Sequence, residues 1–200
     1  MRVLAERAAQ GALPIEVRAV ISDQPTAAGL QTARELGIHA EALSPRDFPN
    51  RDAFDAALAQ RVASFAPKLV VLAGYMRILN PEFVRRFAGR LLNIHPSLLP
   101  KHPGLHTHRR ALESGDAVHG ASVHFVTEAL DAGPIIVQGR VPVLAGDDEA
   151  ALTARVQKAE HIIYPQAVEW FAKGRLVVRD DGVHFDNQPL AAPPIVEVPA

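Results

Sequence analysis

The 200-residue chain has no cysteine. That excludes disulfide bridges, thiol nucleophiles and cysteine-ligated zinc, and leaves the redox compartment unspecified. It has no excess of either charge: 21 basic residues stand against 22 acidic ones, a net charge of −1. No global field therefore favours nucleic acid or an anionic membrane, although single phosphates can still be bound locally. It has no long hydrophobic run. Leu69–Met76 is the longest and is far too short to cross a bilayer. Residues 1–20 carry Arg2, Glu6, Arg7 and Glu16, so no secretory signal is expected. Repeats and low-complexity blocks are also missing. A 48% hydrophobic composition suits one domain with a substantial core. The expectation is a soluble, cytoplasmic protein that acts on small molecules, neither nucleic acid nor membrane, as a monomer or homodimer.

The chain does contain an alternation of strand-like and helix-like segments. Ile15–Ser22, Ile38–Leu43, Lys68–Ala73 and Leu91–His95 read as strands. Ala27–Leu36, Arg51–Phe65, Asn80–Phe87 and His106–Ser114 read as helices between and after them, with Asn80-Pro81 supplying a cap and a first-turn proline. Ser122–Thr127 and Pro134–Val143 are β-rich and joined by a turn, and Asp147–Lys173 is a long helix with a bend expected before Pro165. A small hairpin follows near Leu176–Phe185. These elements predict an α/β fold: a three-layer sandwich around a mostly parallel twisted sheet, with an antiparallel C-terminal addition. Residues 1–187 are expected to form the single domain, and 188–200 a proline-rich irregular tail. Ligands of such sheets lie beyond the carboxyl ends of the strands.

The densest chemistry sits at one of those ends. Leu92-Asn93-Ile94-His95 breaks into a loop stiffened by Pro96, Pro100 and Pro103. An amide and an imidazole two residues apart on a strand face the same side. Together they suggest chemistry at a carbonyl, with Asn93 donating a hydrogen bond and His95 handling a proton. Asp131, in the turn Leu130-Asp131-Ala132-Gly133-Pro134, is the natural partner for His95. An aspartate that merely caps its own turn is an equally ordinary reading of that segment. If the carboxylate does approach, it favours the imidazolium, a good oxyanion stabiliser and proton donor. His102, His106 and His108 form a rival set for zinc, but no Cys, no His-Glu-x-x-His and no nearby aspartate completes a hydrolase site. No metal is therefore expected. Ser97 lacks the glycine elbow of an activated nucleophile, and no other nucleophile stands in an activated setting. Direct transfer between two bound substrates remains.

Leu92-Asn93-Ile94-His95-Pro96-Ser97-Leu98-Leu99-Pro100, with Leu130-Asp131-x-Gly133-Pro134 downstream, resembles the folate-dependent formyltransferases. Ala73–Leu79, Pro103–His108 and Val123–Thr127 are similar to the branch that formylates glycinamide ribonucleotide in purine synthesis. The similarity runs from about Val17 to Gly174. It implies transfer of a formyl group from 10-formyltetrahydrofolate, as co-substrate, to the ribonucleotide's amine, without metal. By the same resemblance, Asn93, His95 and Asp131 are the catalytic residues. Met76, Arg77, Ile78 and Leu79, with Thr127, Glu128, Ala129, Leu130, Asp131, Asn93 and Arg51, line the folate site. Gln157 and Glu160 contact the acceptor.

The family opens with a strand and a glycine-rich phosphate loop. Here Met1–Gln10 reads as the helix that should follow that loop. By this comparison the strand and loop are missing, through a start placed too late (the preferred reading) or a true truncation. Exposed strand edges, marginal folding and weak ribonucleotide binding are then expected. Sister formyltransferases, a formyltetrahydrofolate hydrolase and a non-catalytic folate-binding remnant stay open as alternatives.

Overall fold

The computed structural model describes residues 1–179 and 181–200. In chain order the elements are α1 (Arg2–Ala9), β1 (Val20–Ser22), α2 (Ala28–Glu35), β2 (Ala40–Ala42), α3 (Arg51–Ser64), β3 (Val70–Leu72), α4 (Pro81–Arg86), β4 (Leu91–His95) and α5 (Thr107–Glu113). They continue with β5 (Val118–Phe125), β6 (Ile135–Pro142), α6 (Glu149–Ala172), β7 (Leu176–Arg179), β8 (Gly182–Phe185), β9 (Gln188–Pro189) and β10 (Ile195–Glu197). The expected α/β architecture is present, with parallel β1–β2 and β3–β4 pairs and antiparallel β4–β5–β6.

Side-chain alternation along the strands separates two cores. Leu91, Val70 and Leu72 face Phe54 and Leu58 of α3, Phe83 of α4 and Phe87 just past it. Leu92, Val71 and Leu69 face the other way, toward Val156, Ala159, Ile163 and Ala167 of α6. A sheet greasy on both faces thus lies between two helical layers. The helix starts follow the sequence. Asn50, Asn80 and Asp148 each accept a backbone N–H three residues on, at 2.9, 2.8 and 2.7 Å. Helix α6 runs unbroken through the buried Pro165. Its close seat on β6 depends on Gly139, where a β-carbon would lie 2.9 Å from Ala159 Cβ. Tyr164 fastens the same helix to the other side of the sheet, its hydroxyl donating to the Leu72 carbonyl at 2.6 Å with the Leu92 carbonyl 3.1 Å away.

Strand β3, within Lys68–Ala73, is an edge of the five-stranded sheet β10-β6-β5-β4-β3, while β1–β2 form a separate pair. Its apolar character comes from being covered on both faces, which does not require a neighbour on both edges. Two expectations need correction. The 188–200 tail is not wholly irregular. Gln188–Pro189 extends the β7–β8 hairpin, and Ile195–Glu197 pairs in parallel with β6. Pro193 and Pro194 end just before that edge strand begins, where a missing N–H costs no ladder bond. Finally, the strand expected over Ile15–Ser22 contracts to Val20–Ser22, because its only partner among the described residues, β2, is equally short.

Candidate active site

The carboxyl end of β4 carries Asn93 and His95 on one side of the sheet, as the period-two reading requires. The loop after it is pinned from below. Ser122 Oγ donates to the Ser97 carbonyl (2.7 Å) and accepts from Leu99 N (3.0 Å) and Gln138 Nε2 (2.8 Å). Gln138 also donates to the Leu99 carbonyl, and Ser97 Oγ to the Lys101 carbonyl. Ser97 and Ser122 are fully buried, and the hydroxyl of Ser122 uses its donor and both acceptor sites. A satisfied buried network of this kind fixes one loop conformation.

Above that floor, His95 has an acceptor at each ring nitrogen. Nε2 lies 2.9 Å from the His102 carbonyl, which can only accept, so Nε2 carries a hydrogen. Nδ1 lies 3.4 Å from Asp131 Oδ2, an ion-pair distance rather than a short hydrogen bond. Both side chains are less than a tenth exposed. The imidazolium is the form that satisfies both neighbours. Asp131 Oδ2 also accepts from the Gly104 amide at 2.8 Å. Three residues here, His102, His106 and Asp131, hold left-handed backbone at φ 52°, 58° and 50° despite their β-carbons. Such outliers concentrate at functional sites.

Asn93 is oriented by His124, its cross-strand partner in the β4–β5 register. His124 Nδ1 donates to the Phe125 carbonyl (2.9 Å), leaving Nε2 as an acceptor 3.3 Å from Asn93 Nδ2. Burial pushes the His124 imidazole down, keeping it neutral, against the opposing pull of that carbonyl and of Asp131. One amide hydrogen of Asn93 is therefore spent on His124 and the second is free to meet a ligand. His124 Nε2 is also 3.9 Å from Asp131 Oδ1. The expected triad of Asn93, His95 and Asp131 does converge.

Behind it lies a second histidine group. His102 Nε2 is 2.7 Å from Asp116 Oδ2, and Lys101 Nζ donates to Oδ1 at 2.8 Å, which holds the Asp116 carboxyl below its usual range. His108 Nδ1 is 3.2 Å from His119 Nε2. Burial, reinforced by His108 and His102, pushes His119 down to about 4. Of the rival zinc set, His102 meets Asp116 and His108 meets His119. Among the described residues no group of three or more His, Cys, Asp or Glu is arranged to hold a metal ion.

The remaining candidates surround this centre unequally. Met76–Leu79 follow β3 and Thr127–Asp131 follow β5, so the two segments leave the strands that flank β4 on either side. Met76, Ile78 and Leu130 are 75%, 61% and 58% exposed, an apolar set on a surface that ordinarily hides such groups. Arg51 donates to the Ile78 carbonyl, Arg77 stacks on Phe54, Arg85 pairs with Glu128, and Thr127 Oγ1 donates to the Ala129 carbonyl. Gln157 and Glu160 lie on α6 and make no hydrogen bond or ion pair with the triad among the described residues. Glu160 instead neighbours the Met1 amine, and burial pushes its carboxyl up. Sequence reasoning missed His124, Gly104 and Asp116. Only His124 had a readable signal, since an antiparallel partner of β4 must place some residue beside Asn93.

The family description "Formyl transferase" matches residues 1–168. The chain belongs to the formyl transferase family. It is 56% identical over 174 residues to the phosphoribosylglycinamide formyltransferase of Escherichia coli (strain K12), covering 87% of this chain and 82% of that protein. Among solved structures, the phosphoribosylglycinamide formyltransferase of Coxiella burnetii superposes with a TM-score of 0.91 at 45% identity, over 97% of this chain and 92% of that one. Glycinamide ribonucleotide transformylase 1 of Symbiobacterium toebii gives 0.89 at 47%, over 92% and 87%.

Proposed function

We propose that this chain transfers the formyl group of 10-formyltetrahydrofolate to the amine of glycinamide ribonucleotide, a step of purine synthesis. Family membership and the activities that its relatives' names state support the reading. The observation that carries it is His95, nearly buried, with the His102 carbonyl at one ring nitrogen and the Asp131 carboxylate at the other.

The neutral amine attacks the formyl carbon, and the carbonyl π electrons move onto oxygen. The free amide hydrogen of Asn93 and the His95 cation meet that oxyanion, where one preorganised donor is worth roughly 3–4 kcal/mol of barrier. The new ammonium then gives up its proton, and the folate nitrogen takes one as the carbon–nitrogen bond breaks, through His95 or water. Asp131 orients the ring and places a carboxylate beside it. Met76, Arg77, Ile78 and Leu79 line one side of the pterin and Thr127, Glu128, Ala129, Leu130 and Asp131 the other, with Arg51 near the folate tail. Gln157 and Glu160 receive the acceptor.

The test incubates purified chain with 10-formyltetrahydrofolate, with and without glycinamide ribonucleotide. Formylated amine is expected, and its formation should collapse in His95→Ala while the circular dichroism spectrum persists. Formate released equally with or without the amine indicates a hydrolase and overturns the reading, as does near-normal transfer by the His95 variant.

A further inference from the structure

The groups that hold His95 and Asp131 in place come from one short segment. His102 offers its carbonyl to His95 Nε2, and Gly104, two residues on, offers its amide to Asp131 Oδ2. Pro103 between them has its own φ fixed by its ring. His102–Gly104 is thus a backbone clip that grips both members of the ion pair at once. Its first residue is the least comfortable, because a histidine at φ 52° adopts left-handed backbone that its β-carbon disfavours. Something outside the backbone must hold it there.

The His102 side chain supplies the hold. Its Nε2 meets Asp116 Oδ2, and the other oxygen of that carboxylate takes the ammonium of Lys101, so one acid ties down two consecutive loop residues. Asp116 is itself fixed just beyond α5, where its amide donates to the Ala111 carbonyl. His119, fully buried in β5, packs edge-on against the His102 ring at 6.0 Å. Among the described residues, neither Lys101 nor Asp116 makes a side-chain hydrogen bond or ion pair with the triad.

We infer that His102 and Asp116 are a positioning pair for His95, acting through the His102 carbonyl to set the ring's orientation and hydrogen placement. The inference deepens the proposed activity and rests on His95 working in it. Without the anchor, the carbonyl drifts, the Nε2 hydrogen bond lengthens, and the ring can turn away from Asp131.

The test measures His102→Ala, His102→Gln and Asp116→Ala by steady-state kinetics and by the ring nitrogen shifts of His95 in 15N-histidine NMR. In both alanine variants kcat should fall roughly tenfold with KM for 10-formyltetrahydrofolate held within about twofold, the signature of misplacement rather than lost binding. Their His95 ring shifts should move away from the doubly hydrogen-bonded pattern. Glutamine reaches Asp116 with its amide and should recover most of the turnover and the parental shifts. Unchanged His95 shifts in both alanine variants overturn the inference, as does a glutamine variant no better than alanine. Should His95→Ala itself keep its turnover, the catalytic reading fails while the ring shifts still report on the anchor separately.

Discussion

Replacing Asp131 with asparagine isolates the charge at the centre of this site. The amide is nearly isosteric, so its oxygen can still accept from Gly104 N as Oδ2 does at 2.8 Å. What disappears is a negative charge 3.4 Å from His95 Nδ1, in a pair less than a tenth exposed. At an effective dielectric of about 20, that attraction is about 5 kcal/mol, a ceiling because the asparagine dipole restores part of it. The oxygen that keeps the Gly104 bond stands where Oδ2 does, so His95 Nδ1 then faces a neutral amide oxygen and the ring loses its counter-charge. The oxyanion meets a less stabilised partner, and kcat is expected to fall by roughly 10²–10³, or about 3–4 kcal/mol of barrier. Single-turnover formyl transfer separates this from slow product release, and thermal melts check that the fold survives. A variant within tenfold of the parent, with an intact melt, would show that the carboxylate acts by shape alone and would refute the electrostatic argument.

Two further outcomes follow from the packing. Gly133→Ala places a β-carbon 1.8 Å from the Phe125 carbonyl, backbone that cannot swing aside, so the β5–β6 turn must open at a cost of about 3 kcal/mol or more. A denaturant midpoint matching the parent's contradicts that contact. Stability should also decline with acidity below about 6.5: native His119 stays neutral down to about 4 while the unfolded chain takes up a proton, so the unfolded state binds more protons in that window. The loss levels off below 4 at no more than about 3 kcal/mol for this group, with the lowered His108 and His124 adding in the same direction. Urea melts across that range test it, and His119→Gln should flatten the slope; an unaltered slope counts against the assignment.

The placement of Asn93 and His95 on one face was legible because alternation along a strand is a local rule. Asn93 and His95 needed nothing more than their spacing, and Asp131 needed only a turn that exposes one acid. His124 was hidden because its proximity to Asn93 is a matter of cross-strand register, which depends on the β5–β6 turn rather than on either strand alone. The His102 carbonyl and the Gly104 amide were hidden more deeply, since backbone groups carry no residue signature. Asp116 looks like any loop acid until the chain folds back to it. Strand β10 was obscured by the prolines before it, and the edge position of β3 by its apolar faces. Side-chain identity reports which faces are covered and says little about which edges are paired.

The seating of α6 has a consequence for how ligands are told apart. Gly139 lets the helix sit almost on the strand backbone, and Tyr164 hooks it to two carbonyls of neighbouring strands. Any group borne by its middle turns moves only when the whole sheet moves. On the proposed assignment of Gln157 and Glu160 to the acceptor, the amine meets an unyielding wall, whereas the segments proposed for the pteridine, Met76–Leu79 and Thr127–Asp131, lie outside helices and strands. Tolerance for altered molecules should be lopsided, generous toward modified folates and strict toward modified amines.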